Sequence, residues 1–210
     1  MKNLKSLTGC VFILLSSYAF TATAHEGKEH NEVHSEAVNE DVPALEWDGA
    51  DYKKAEKLFR SAGGYGCVAC HSQFAQGGGN VGGNIRDHSL GQINYALQNE
   101  PTMKLLNNAL SPDDKKLLAS YLKTLGQFKL VEWTIDGDSS YSKTSLDKGS
   151  ASQLVISNKT FEPLTLSLEP LGNGGEITVE PYETKSYEWT TEPGVVRLQY
   201  RQNILDIDVR

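Results

Sequence analysis

Between about residue 49 and residue 126, apolar positions recur every three to four residues, the period of helices that bury one face. Ala55, Leu58, Phe59 and Ala62 mark a first helix, and Gly63-Gly64 stops it. Ser89 with Gln92 gives a capping-box start to a second helix, with Ile93, Ala96 and Leu97 on its apolar face and Pro101 just past its end. A last helix is capped by Ser111, has Pro112 at its first position and Asp113 and Asp114 in its first turn. Leu117, Leu118, Tyr121, Leu122 and Leu125 form its stripe, and Gly126 closes it. Beyond Gly126 the pattern changes to alternating or short apolar runs at 128–135, 153–157, 164–168, 176–179 and 195–200. Turn clusters such as Gly172-Asn173-Gly174-Gly175 and Glu192-Pro193-Gly194 separate these runs, which read as strands. The pattern therefore predicts a multidomain chain, an all-α domain followed by an all-β antiparallel sandwich of immunoglobulin-like build.

The start of the chain has a different texture. Lys2 and Lys5 precede the apolar stretch from Val11 to Leu15, and Ala22-Thr23-Ala24 offers a small-residue cleavage site. This is the pattern of a secretory signal, and it predicts a signal peptide over residues 1–24 and a periplasmic or secreted location. Leu7-Thr8-Gly9-Cys10 resembles a lipoprotein box, but the apolar stretch follows the cysteine instead of preceding it, so Cys10 reads as a signal residue without a lipid. No transmembrane helix is expected in the mature chain. Residues 25–48 are polar and acidic, read as a flexible leader carrying His25, His30 and His34. A histidine-containing tract can bind copper or zinc; a solvated leader is the preferred reading.

Charge divides the chain the same way. Residues 25–51 carry nine acids against Lys28 alone, a formal −8; residues 52–127 carry nine bases and five acids, +4; residues 128–210 carry eight bases and thirteen acids, −5. No basic patch is dense enough to suggest a nucleic-acid partner.

The candidate chemistry lies in Cys67-Val68-Ala69-Cys70-His71. A C-x-x-C-H run is the pattern of covalent c-type haem attachment: two thiols become thioethers, and the adjacent imidazole is held close enough to bind iron. A C-x-x-C pair can instead be a redox dithiol, which expects a βαβ setting, or half of a zinc site, which needs further ligands at zinc spacing. Cys67 and Cys70 would be the only cysteines left after cleavage near Ala24, so no structural disulfide is expected. The glycine-rich run 76–84 lacks the Lys-Ser/Thr ending of a phosphate loop and reads as backbone passing close to a large flat cofactor. Met103 and His88 are the candidates for the second axial ligand, Met103 being preferred.

Residues 49–126 resemble a class I c-type cytochrome. The resemblance rests on a first helix ending in Leu58-Phe59, the C-x-x-C-H run, a loop methionine in Pro101-Thr102-Met103, and a last helix reading Leu117-Leu118-Ala119-Ser120-Tyr121-Leu122. It implies one covalently bound haem c on Cys67 and Cys70, with iron held by His71 and Met103, and first and last helices crossing through Phe59 and Tyr121. The chain departs from that family at Ala55, where glycine is frequent, and at Lys104, where a proline often follows the methionine.

Residues 128–210 contain no Cys, His or Met, which excludes a blue-copper site there. Trp133, Trp189, Tyr182 and Tyr187 could supply a sugar-binding platform but read more simply as core and edge packing. Asn158-Lys159-Thr160 matches a glycosylation sequon. The function these features predict is an exported, non-enzymatic monohaem cytochrome. It would carry single electrons between a redox protein donor and acceptor in the periplasm, with residues 128–210 as a docking or placement module. The alternatives are a haem sensor with a labile methionine, or a protein- or glycan-binding module that delivers electrons to a neighbouring enzyme.

Overall fold

Helix α1 (Ala50–Ser61) opens the ordered succession in the computed structural model, which describes residues 42–78, 82–172 and 174–210. Asp51 in its first turn and Arg60 in its last complement the helix dipole, while Tyr52, Ala55 and Phe59 turn inward. A 3-10 turn at Ala62–Gly64 ends it, with Gly63 in the left-handed region at φ 63°. There follow α2 (Val68–His71), α3 (Leu90–Asn99), α4 (Lys104–Asn107) and α5 (Pro112–Gly126). The expected caps form: Ser89 accepts from the Gln92 amide and Ser111 from the Asp114 amide, and both capping boxes are complete. Phe59 and Tyr121 meet at 5.5 Å between ring centroids, where α1 crosses α5. The core they belong to includes Ala55, Leu97, Leu118, Leu122 and Leu125.

Eight strands follow: β1 (Lys129–Ile135), β2 (Ser140–Leu146), β3 (Ala151–Asn158), β4 (Leu164–Ser167), β5 (Glu176–Val179), β6 (Thr184–Thr190), β7 (Gly194–Tyr200) and β8 (Asn203–Val209). They form one sheet in the order β1-β3-β6, a second in the order β2-β8-β7, and the hairpin β4-β5. β1 pairs parallel with β3, Lys129 opposite Ser152 through Ile135 opposite Asn158, and β2 pairs parallel with β8. The remaining pairs are antiparallel. Val131, Trp133, Ile135, Leu154 and Ile156 from one sheet share a core with Leu198, Leu205, Ile207 and Val209 from the other.

This architecture overturns the expected fold class, an all-α cytochrome c-like domain followed by an all-β antiparallel immunoglobulin-like sandwich. The described residues hold five helices and eight strands in mixed sheets, a β-rich α/β arrangement, and all of them belong to one compact unit of the chain. Apolar alternation says nothing about strand direction, and here the strand paired with β1 is β3, after β2 has crossed to the other sheet. β3 also shows why helices and sheets do not part: Leu154 and Ile156 face the sheet core, while Gln153, on the opposite face and fully buried, is met by Arg86 from the helical segment.

The end of the expected leader is packed as well. Leu45 donates its amide to Thr124 Oγ1 at 2.7 Å, and Trp47 lies against Tyr52 and Phe128 with centroids 4.6 and 4.7 Å away. Val42, Leu45 and Trp47 supply the apolar surface that the acidic residues before them lack. The signal peptide, Cys10, the leader histidines His25, His30 and His34, and residues 79–81 of the glycine run lie outside the described residues.

Two readings in the strand region resolve plainly. Trp133 and Trp189 are buried in the β core, so they form no exposed platform with Tyr182. Asn158 is fully buried, and its amide donates to the carbonyls of Glu162, Val179 and Glu180 at 2.8, 3.0 and 3.1 Å while Oδ1 accepts from the Thr160 amide at 2.9 Å. The sequon asparagine is therefore a turn anchor.

Candidate functional site

The C-x-x-C-H run is folded back against α1. Gly66 turns the chain at φ 68°, and a side chain there would strike the Arg60 backbone and come within 2.6 Å of the Phe59 carbonyl oxygen. The turn lets the Cys67 amide donate to that Phe59 carbonyl at 2.8 Å. Cys67 then starts α2: its carbonyl accepts from the amides of Cys70 and His71 at 3.2 and 2.9 Å, so Cys67 and Cys70 stand one turn apart on one face. Both thiols are unpaired and half-buried. Burial pushes the Cys67 thiol up to about 11, away from the lowered value that a redox dithiol needs to attack as thiolate.

His71 ends α2 with only 9 % of its surface exposed. Its Nδ1 lies 2.9 Å from the carbonyl oxygen of Gly83. A carbonyl can only accept, so Nδ1 carries a proton, and in the neutral ring Nε2 is the nitrogen with the lone pair. After His71 the chain leaves through Ser72 at φ 62°, and the Gly77 amide returns to the His71 carbonyl at 3.0 Å. The far arm of the glycine run is stitched back by the Ile85 amide on the Ala75 carbonyl at 2.9 Å and the Asp87 amide on the Leu122 carbonyl at 2.8 Å. Gly82 must be glycine for space: a Cβ there would run into the Cys70 carbonyl and stand 2.8 Å from His71 Nδ1.

Cys67, Cys70 and His71 thus come together in one turn, with Gly82 and Gly83 against the imidazole. Met103 comes from another element. It is the N-cap of α4, its amide donating to the Glu100 carbonyl at 3.0 Å and its carbonyl accepting from the Leu106 amide at 2.9 Å, and its half-buried side chain packs against the helical core. The loop expected there is a tight turn entering a helix. His88 is half-buried on the loop that carries Gly83, and burial, followed by the nearby His71, lowers its pKa.

The Gly83 carbonyl and the Arg86 side chain behind it were not readable as site elements. The clustered glycines were the one signal; they predicted backbone passing close to a large flat cofactor, and what Gly82 closely passes here is the Cys70 carbonyl and the His71 ring. Among the described residues no group of three or more His, Cys, Asp or Glu side chains gathers as a metal ligand set, as zinc at the C-x-x-C pair would require. No described helix is long and apolar enough to cross a membrane. No protein-family model matches the chain, and no curated protein matches it.

Proposed function

We propose that this chain is an exported monohaem c-type cytochrome that carries single electrons between redox proteins in the periplasm. Haem c would be held on Cys67 and Cys70, with His71 and Met103 as axial ligands. The kinship proposed is with class I c-type cytochromes at the level of these motif residues, on an architecture of its own.

The observation that carries the reading is the bond from His71 Nδ1 to Gly83 O: it fixes the tautomer and presents Nε2 as the free donor an axial ligand needs. The residues present fit the group in two further ways. The two unpaired thiols share one face of a single turn, and Gly82 has no side chain where the imidazole and the Cys70 carbonyl must be passed. Cys67 and Cys70 would hold the group covalently as thioethers. Haem, once bound, supplies a one-electron ferrous–ferric couple.

The chain's own part is to hold the group. His71, largely buried, and Met103, held at the start of α4, would be the residues that hold the iron.

The test is expression in an export-competent host, followed by acid–organic extraction of the denatured protein. The full chain should retain one haem per chain, and Cys67→Ala with Cys70→Ala should retain none. A full chain that releases all its haem would overturn the reading.

A further inference from the structure

A polar chain runs from the strands to the back of His71. Arg86 lies three residues beyond Gly83, and its guanidinium donates to the carbonyls of Leu125 and Phe128, the latter at 3.3 Å, and to Gln153 Oε1 at 2.5 Å. Leu125 O belongs to the C-terminal end of α5, the negative end of a helix dipole, which suits a cation. Gln153 is fully buried on β3, and its amide is spent at both ends: Oε1 accepts from Arg86, and Nε2 donates to Glu188 Oε1 on β6 at 2.8 Å. The Ser186 hydroxyl holds the same Glu188 oxygen at 2.6 Å. No carboxylate bonds Arg86 directly among the described residues; its charge is answered by carbonyls, by the nearby Glu132 on β1 and, across the Gln153 amide, by Glu188.

Partly burying an arginine is costly unless its donors are satisfied, as the Arg86 donors are by Gln153 and two backbone carbonyls. What this bonding fixes is the short segment from Gly83 to Arg86. One end presents the carbonyl that orients the imidazole, and the other is bolted to the sheet. Between them Asn84 Oδ1 accepts from the Arg86 amide at 2.9 Å and the Ile85 amide holds the Ala75 carbonyl, so little slack remains to absorb a displacement of Arg86.

We propose that Gln153 and Glu188, on β3 and β6, are positioning residues for His71, acting through Arg86 and the Gly83 carbonyl; this rests on the haem reading above. The strand region is then part of the haem-ligand support, whatever else it docks with. A firmly held Nδ1–H···O=C bond makes the imidazole a stronger donor and favours ferric iron; a loosened one raises the midpoint potential.

The experiment compares haem-loaded full chains by midpoint potential and by hydrogen exchange at the Ile85 amide. Gln153→Leu removes the acceptor for Arg86 and the donor for Glu188, and Gln153→Asn, milder should the first fail to fold, withdraws the amide by one carbon. Both should raise the potential and speed Ile85 exchange, the leucine variant by about tenfold. Gln153→Glu combined with Glu188→Gln keeps an acceptor for Arg86 and a hydrogen bond between positions 153 and 188, now donated by residue 188, and should return Ile85 exchange to the wild-type value. Variants that melt at lower temperature while potential and Ile85 exchange stay unchanged would overturn the proposal. A wild-type chain without covalent haem would instead overturn the function above, and Ile85 exchange in that haem-free chain would still decide whether the clamp exists.

Discussion

The Nδ1 atom of His71 and the carbonyl oxygen of Gly83, twelve residues apart in sequence, face each other at 2.9 Å. Chemical identity of the imidazole depends on this pairing: the proton is pinned on the side of the protein, and the lone pair is presented on the other.

Gly82→Ala tests how tightly the two strands of that loop close. The new methyl would meet the Cys70 carbonyl and His71 Nδ1, both backbone or fixed ring atoms, so relief requires moving the loop. We expect a loss of about 1–3 kcal/mol in denaturant unfolding, with reduced haem retention. Gly83→Ala is the control: a Cβ there meets nothing within 4 Å, and stability should stay within about 0.5 kcal/mol of wild type.

Met103→Ala should open an axial position. The reduced variant should bind carbon monoxide and show a lower midpoint potential, because a thioether stabilises ferrous iron. His88→Ala should do neither. The reverse pattern in carbon monoxide titrations of the two variants would exchange the assignments.

Asn158→Ala removes the donor shared by three backbone carbonyls, leaving them without it in a buried turn. About 2–3 kcal/mol of stability should go with it, read from urea unfolding. Asn158→Asp should cost at least as much, since a carboxylate would face those same carbonyls with no proton to offer.

Asp206 gives the strand region an acid limit. The Arg197 guanidinium bonds both of its oxygens at 2.7 Å and, with the Tyr141 hydroxyl at 3.0 Å, lowers its pKa from 3.8 to about 2. The folded form binds this proton more weakly than the unfolded form. The stabilisation is therefore complete above about pH 4 and lost as pH falls toward 2. Thermal unfolding across that window should show a shallower fall in midpoint for Asp206→Asn than for wild type.

What could be read in advance follows from where the physics is local. The caps Ser89 and Ser111 act within four residues, and both formed as expected. So did the Phe59–Tyr121 crossing, which the family resemblance supplied. Five strands were found within a residue or two, β5 on the expected residues and β1 beginning one later, while β6 was missed although Tyr187 and Trp189 alternate with Glu188. β2 was missed because Ser140-Tyr141-Ser142-Lys143-Thr144-Ser145-Leu146 carries almost no apolar signal and owes its strand to pairing with β8. β8 was missed for the opposite reason: Leu205, Asp206 and Ile207 are all buried, so the expected alternation of core and solvent is broken by an aspartate whose cover comes from Arg197 and Tyr141. Parallel pairing, the packing of Trp47, and the Arg86–Gln153 bond all join residues distant in sequence, and no local pattern encodes them.

The position of β8 sets the order in which the chain can become whole. The last strand of the sequence is the middle strand of its sheet, with β2 on one side and β7 on the other. β2 leaves the ribosome some sixty residues before the strand it pairs with, Ser140 opposite Asn203. Without β8 that sheet has no centre, and the non-local pairing that closes it is of the slow kind. A sheet built around a strand this distant from one of its neighbours draws its two flanks together only through that strand.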